Sequence, residues 1–184
     1  MKINLYHTGY EIIKSPDIHY GRKNADFGQG FYMSDNGEFA GRWAKEKRGC
    51  DIIVNSYELD TEGLQVKEFQ RDSEWSEYIF NNRAARDDYL KEYDVIIGPI
   101  ANDTLFNTFG IITSGYLSRD EALQLLLVGP CYKQIVLKTT EAADRLKWLS
   151  AEVMDINIIQ AYAKQVTAEE EDYQEAIAKV MEGF

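Results

Sequence analysis

Gly28 and Gly30 stand one residue apart, directly ahead of the aromatic run Phe31-Tyr32-Met33, and no other feature narrows the fold as much. Glycines here let the backbone pass close to a group that a side chain would block. Phe31-Tyr32-Met33 has the composition of a short strand. Asp35-Asn36-Gly37-Glu38 then reads as a capping box that opens a helix running to about Arg48, with Phe39, Ala40, Trp43 and Ala44 on one face. Upstream, Ile3, Leu5 and His7 alternate with Lys2, Asn4 and Tyr6, a strand that ends at Thr8-Gly9. Between the two strands, Pro16 and the Tyr20-Gly21 turn predict a loop.

The rest of the chain continues to mix short elements. Ile52 to Leu59 and Leu64-Val66-Phe69 predict strands, and Trp75, Tyr78 and Ile79 predict a helix carried on towards Tyr89. Asp94 to Ile100 reads as a buried strand ended by a Gly98-Pro99 turn. Ser118-Arg119-Asp120-Glu121 is a capping box for a leucine-rich helix that Gly129-Pro130 stops. A strand over Tyr132–Leu137 follows, then a short helix and a strand around Leu146 to Val153. Ile158, Ile159, Tyr162 and Val166 share a helical face, and Thr167-Ala168-Glu169-Glu170 predicts the cap of a separate final helix bearing Tyr173, Ile177 and Val180. Connections this irregular do not suit a doubly wound parallel sheet, so the expected class is α+β. One domain is expected over residues 1–155, with the helices of 156–184 docked on it or presenting their stripes to a partner.

The net charge is −11 at pH 7, which does not steer a protein towards nucleic acid. The distribution is uneven: residues 1–50 carry eight Lys or Arg against six Asp or Glu, and residues 139–184 carry four against ten. Arg22 and Lys23 could attract a pyrophosphate, whereas Arg42, Lys45, Lys47 and Arg48 read as a solvated helix face, and Arg83 and Arg86 as surface residues. Cys50 and Cys131 have no metal-type spacing and read as free thiols. With neither a secretion signal nor a membrane-length apolar run, the expected location is the cytoplasm, with no membrane partner.

The order of a strand ending in His7-Thr8-Gly9, then Asp26-Phe27-Gly28-Gln29-Gly30-Phe31-Tyr32, then a helix, resembles the ADP-ribosyltransferase superfamily. The branch it resembles is the His-Tyr-Glu type of diphtheria toxin and the poly(ADP-ribose) polymerases, together with small bacterial domains of unassigned function that share the pattern. The resemblance implies a split mixed and antiparallel sheet core with flanking helices. It implies NAD as substrate, no metal, and transfer of ADP-ribose with release of nicotinamide to an unidentified acceptor, protein or nucleic acid.

By the same resemblance His7 holds the ribose beside nicotinamide, Thr8 and Gly9 meet the carboxamide, and Tyr32 stacks on the nicotinamide ring. Gly28, Gly30 and Phe31 complete the second motif. Beside the motif, in the loop before it, Arg22 and Asn24 are candidates for the pyrophosphate or adenosine side or, equally, polar residues that stabilise the loop itself. Gln134 takes the position of the family glutamate, whose carboxylate would offset the developing ribose cation. Asp103 is a candidate replacement acid or, equally, a helix cap. Analogy with compact bacterial relatives suggests a toxin or defence role, with an antitoxin or other partner on the C-terminal helices. The alternative is a catalytically inactive NAD- or ADP-ribose-binding module, or an interaction domain on the same fold.

Overall fold

A computed structural model describes residues 1–42, 47–101, 118–129 and 131–183. Seven strands form two sheets. In the first, β1 (Lys2–Gly9), β3 (Ile53–Asp60) and β7 (Leu146–Val153) run antiparallel with β3 central. The second has the order β2 (Phe31–Met33), β6 (Lys133–Leu137), β5 (Val95–Pro99) and β4 (Val66–Glu68). Its pairs are antiparallel apart from β4–β5, which is parallel. A bridge between Tyr6 and Ser34 joins the two sheets. The described helices are α1 (Gly37–Arg42), α2 (Ser73–Arg83), α3 (Arg119–Leu126), α4 (Thr140–Asp144) and α5 (Ile156–Met181). This is an α+β fold.

Side-chain alternation sorts the second sheet into two cores. Phe31, Met33, Ile135, Leu137 and Val95 turn towards the first sheet and pack with its Leu5, Tyr57, Leu59 and Leu146. The residues between them face the other way: Val136 and Ile96 join Phe27, Phe69, and Trp75, Tyr78 and Ile79 of α2, with Tyr32 against them. Both faces of β5 and of residues 135–137 of β6 are therefore covered, which is why these stretches read as continuous apolar runs. Tyr173 of α5 belongs to the second core, so the last helix docks on the domain.

Several local expectations are corrected. The cap of α1 is Asn36, whose side-chain oxygen accepts from Phe39 N at 3.0 Å, and not Asp35. That helix does not reach Arg48, because Lys47 and Cys50 close a turn through Gly49 at φ +78°. Helix α2 ends at Arg83, short of Tyr89. Gly98 and Pro99 are the last two residues of β5, paired with Gln134 and Lys133 and not a turn beyond the strand: a Cβ at Gly98 would stand 2.8 Å from Phe27 Cζ, so the glycine makes room for that ring. The two expected C-terminal helices are one helix of 26 residues capped by Asp155. Thr167 donates its hydroxyl to the Ala163 carbonyl at 3.0 Å, a bond made inside a helix and not at its start.

Candidate functional site

Tyr32 pairs with Val136 across β2 and β6, and Gln134 lies two residues before Val136, so Tyr32 and Gln134 share one face of the sheet. Both line a cavity of about 900 Å³, together with Arg22 and Asn24 from the loop before the glycine motif. The Tyr32 hydroxyl accepts from Phe27 N at 3.0 Å and donates to the Gly28 carbonyl at 2.7 Å. These bonds fix the ring, and burial pushes the phenol pKa far above its ordinary value. Gln134 is 4% exposed and its Nε2 donates to Asp26 Oδ2 at 3.2 Å. Asp26 in turn pairs with Arg83 at 2.6 Å, and Ala101 N donates to it at 3.4 Å.

Asp26 lines this cavity too, but His7, Thr8, Gly9, Gly28, Gly30 and Phe31 do not. The His7 ring packs on Phe31 at 4.6 Å, on the side of β2 that faces the first sheet, and its Nδ1 lies 2.8 Å from the Tyr32 carbonyl. Burial lowers the His7 pKa, opposed by that carbonyl. Thr8 donates to the Ala40 carbonyl at 2.6 Å, which ties β1 to α1, and Gly9 ends β1. Gly28, at φ +74°, lies against the buried Asp88–Lys138 ion pair; a Cβ there would come within 2.8 Å of the ammonium. At Gly30 a Cβ would stand 2.5 Å from the Leu137 carbonyl oxygen. Both glycines thus have a packing reason in this fold: they bring the loop onto β6 and its flanking lysine. Asp103 lies outside the described residues.

Other cavity residues carry no mark that the sequence reading used. Arg83 is no surface residue: its side chain is 11% exposed against Asp26 at 12%. The signal was available, since Trp75, Ile79 and Arg83 recur every four residues and so share the buried face of α2. Arg42 is likewise corrected from a solvated face. It donates to the Tyr132 hydroxyl at 2.9 Å and to Glu169 Oε1 at 2.5 Å, which ties α1 to the residue just before β6 and to α5. Arg71 and Tyr173 complete this end of the cavity. No local pattern marks Arg42, Arg71 and Tyr173 as neighbours, because each comes from a different part of the chain.

In an acidic chain this cavity gathers four arginines, Arg22, Arg42, Arg71 and Arg83, against Asp26, Glu169 and Glu170. Among the described residues, the buried side-chain nitrogen and oxygen atoms without a hydrogen-bond partner are Arg42 Nε, Arg71 Nε and the Tyr173 hydroxyl. Each such group costs about 1–3 kcal/mol while it stays unmatched. A smaller cavity of about 490 Å³ lies behind the glycine loop, where Lys23, His19 and Arg86 face Asp88 and Lys138. Lys138 is satisfied from within: its ammonium meets Asp88 and the Phe27 carbonyl, and burial lowers its pKa.

A family model described as "Protein of unknown function (DUF3990)" matches residues 3–148. The match spans the second sheet, β3 and all but the first residue of β1, reaches only the first three residues of β7, and leaves out α5, which supplies Glu169 and Tyr173 to the cavity. No curated protein matches the chain significantly. Among the described residues, no helix is long and apolar enough to cross a membrane.

Proposed function

The chain belongs to the DUF3990 family, and from that premise we propose that it is an NAD-dependent ADP-ribosyltransferase whose NAD site is the cavity before Tyr32 and Gln134. The observation that carries this reading is the meeting of Tyr32, Gln134, Arg22 and Asn24 at one cavity. Tyr32 and Gln134 are the residues that the superfamily resemblance marks for nicotinamide and ribose, and Arg22 and Asn24 are the loop residues that are candidates for the pyrophosphate or adenosine side. Two sheets bridged at Tyr6 and Ser34 also suit the split-sheet core of that superfamily.

In this reading the Tyr32 ring, fixed through its hydroxyl, stacks on nicotinamide and orients the scissile bond. Gln134 hydrogen-bonds the ribose, and the arginines answer the pyrophosphate charge. As the bond between nicotinamide and the ribose carbon breaks, its electron pair leaves with nicotinamide and positive charge builds on the ribose. A nucleophile of the acceptor, a protein or nucleic acid, then bonds to that carbon and gives up its proton to solvent water. Gln134 is neutral, but it brings the Asp26 carboxylate to 3.2 Å, and Asp26 takes the role for which the sequence offers Asp103. A toxin or defence role, with the exposed face of α5 open to a partner, follows by analogy.

A second reading, an NAD- or ADP-ribose-binding module without turnover, draws on the same geometry. Arg83 already offsets the Asp26 charge, and His7 packs away from the cavity. Release of nicotinamide from NAD by purified protein, abolished in Asp26→Asn, is the result expected of the enzyme. Thermal stabilisation by NAD without nicotinamide release supports the module. A flat thermal response up to millimolar NAD removes both.

A further inference from the structure

The three unmatched buried groups of the described residues belong to side chains that line one cavity, and none of the three, Arg42, Arg71 and Tyr173, belongs to the NAD motifs. An Nε–H only donates, and a phenol hydroxyl donates readily, so the group that would satisfy this set is rich in acceptors and negatively charged. The surroundings show that an oxyanion fits. Glu169 Oε1 accepts from Arg42 Nη1 at 2.5 Å and from the Tyr132 hydroxyl at 3.2 Å. Arg71 is held in place by the loop after α3. Its Nη atoms donate to the Val128 and Gly129 carbonyls at 2.7 and 3.0 Å, while its Nε stays unmatched. Tyr173 is 4% exposed, and its hydroxyl and the two Nε atoms are closed off from water-sized space, so a ligand meets them only once a neighbouring group moves aside.

We infer that the α5 end of the cavity is an oxyanion site for a phosphate-bearing ligand, with Arg42, Arg71 and Tyr173 as donors and Glu169 as the carboxylate that the ligand displaces. A phosphate presents more acceptor oxygens than one carboxylate and suits guanidinium geometry. Because α5 lies beyond the family match, the site is a property of this chain's own C-terminal helix packed on the domain. It requires the cavity but not NAD. The phosphate belongs either to a dinucleotide reaching from Tyr32 or to a second molecule, such as a phosphorylated acceptor.

The test is titration of the full chain with inorganic pyrophosphate against chloride at matched ionic strength, followed by calorimetry and melting temperature, in the wild type, Tyr173→Phe and Glu169→Gln. Saturable binding is expected in the wild type. Tyr173→Phe should melt no lower than the wild type, since an unmatched buried hydroxyl is removed, yet bind pyrophosphate about tenfold more weakly. Glu169→Gln should bind it more tightly. No saturable binding, or a Tyr173→Phe variant that binds as the wild type does, overturns the site and leaves the hydroxyl a packing defect. Pyrophosphate that competes with NAD assigns the phosphate to the dinucleotide, and simultaneous binding assigns it to a second molecule. Pyrophosphate binding without NAD binding ends the NAD reading alone; NAD binding without pyrophosphate binding ends this inference alone.

Discussion

Replacing Tyr32 by phenylalanine keeps the ring and removes the hydroxyl that links Phe27 N to the Gly28 carbonyl. The expected cost to stability is about 1–2 kcal/mol, from the orphaned backbone groups, with NAD affinity largely kept. Tyr32→Ala should lose both, because the half-buried ring packs on the second core. Equal losses of NAD binding in two folded variants would show that the ring is not the binding element. Gln134→Glu is a sharper probe. Gln134 is buried and donates to Asp26, so a carboxylate there would put two acids at about that hydrogen-bond distance. Like charges raise a carboxyl pKa, and the folded state would then bind more protons than the unfolded one. The destabilisation should therefore be larger at pH 7 than at pH 5, and Asp26→Asn added to Gln134→Glu should relieve it. Denaturant midpoints at the two pH values decide this, and a pH-independent loss would mean that the two side chains do not face each other.

At the scale of elements, the strands of the second sheet were readable from local signals: alternation for β4, aromatic composition for β2, and apolar runs in β5 and in residues 135–137 of β6. Two-sided burial is what makes those runs apolar. Local chemistry misled where a residue has two uses. Gly98-Pro99 resembles a turn, yet Gly98 is needed in the strand so that Phe27 and Phe69 can approach. Gly98→Ala should destabilise the fold by about 1–3 kcal/mol in denaturant unfolding, through overpacking against those rings. Thr167 resembles a helix cap, yet it bonds Ala163 from within α5. Thr167→Ala should accordingly be neutral or slightly stabilising, where loss of a true cap would cost about 1 kcal/mol. Thermal unfolding of the variant separates the two.

For the whole molecule, burial raises the pKa values of Tyr32, Tyr57 and Tyr78, and pushes that of Tyr173 up to about 12. A raised folded-state pKa contributes stability that is complete below the unfolded value, near 10, and is lost as the pH rises through the folded value. Unfolding should therefore begin above about pH 10 and track tyrosinate absorbance; titration of these phenols in the native state without unfolding would contradict their burial. His7 acts at the other end of the scale. Its pKa is lowered by burial, so the unfolded chain binds the proton first and stability declines as the pH falls below about 6.5. The sequence by itself determined the α+β class and the strand and helix periods, because these follow from alternation and caps; Tyr32 and Gln134 entered as candidates through the superfamily resemblance alone. Only the tertiary structure decided which candidates meet. Strand register put Tyr32 and Gln134 on one cavity and turned His7 to the other side of β2. Helix docking brought Arg42, Arg71 and Tyr173 to that cavity from three separate parts of the chain, a convergence that depends on long-range packing and leaves no trace in local spacing.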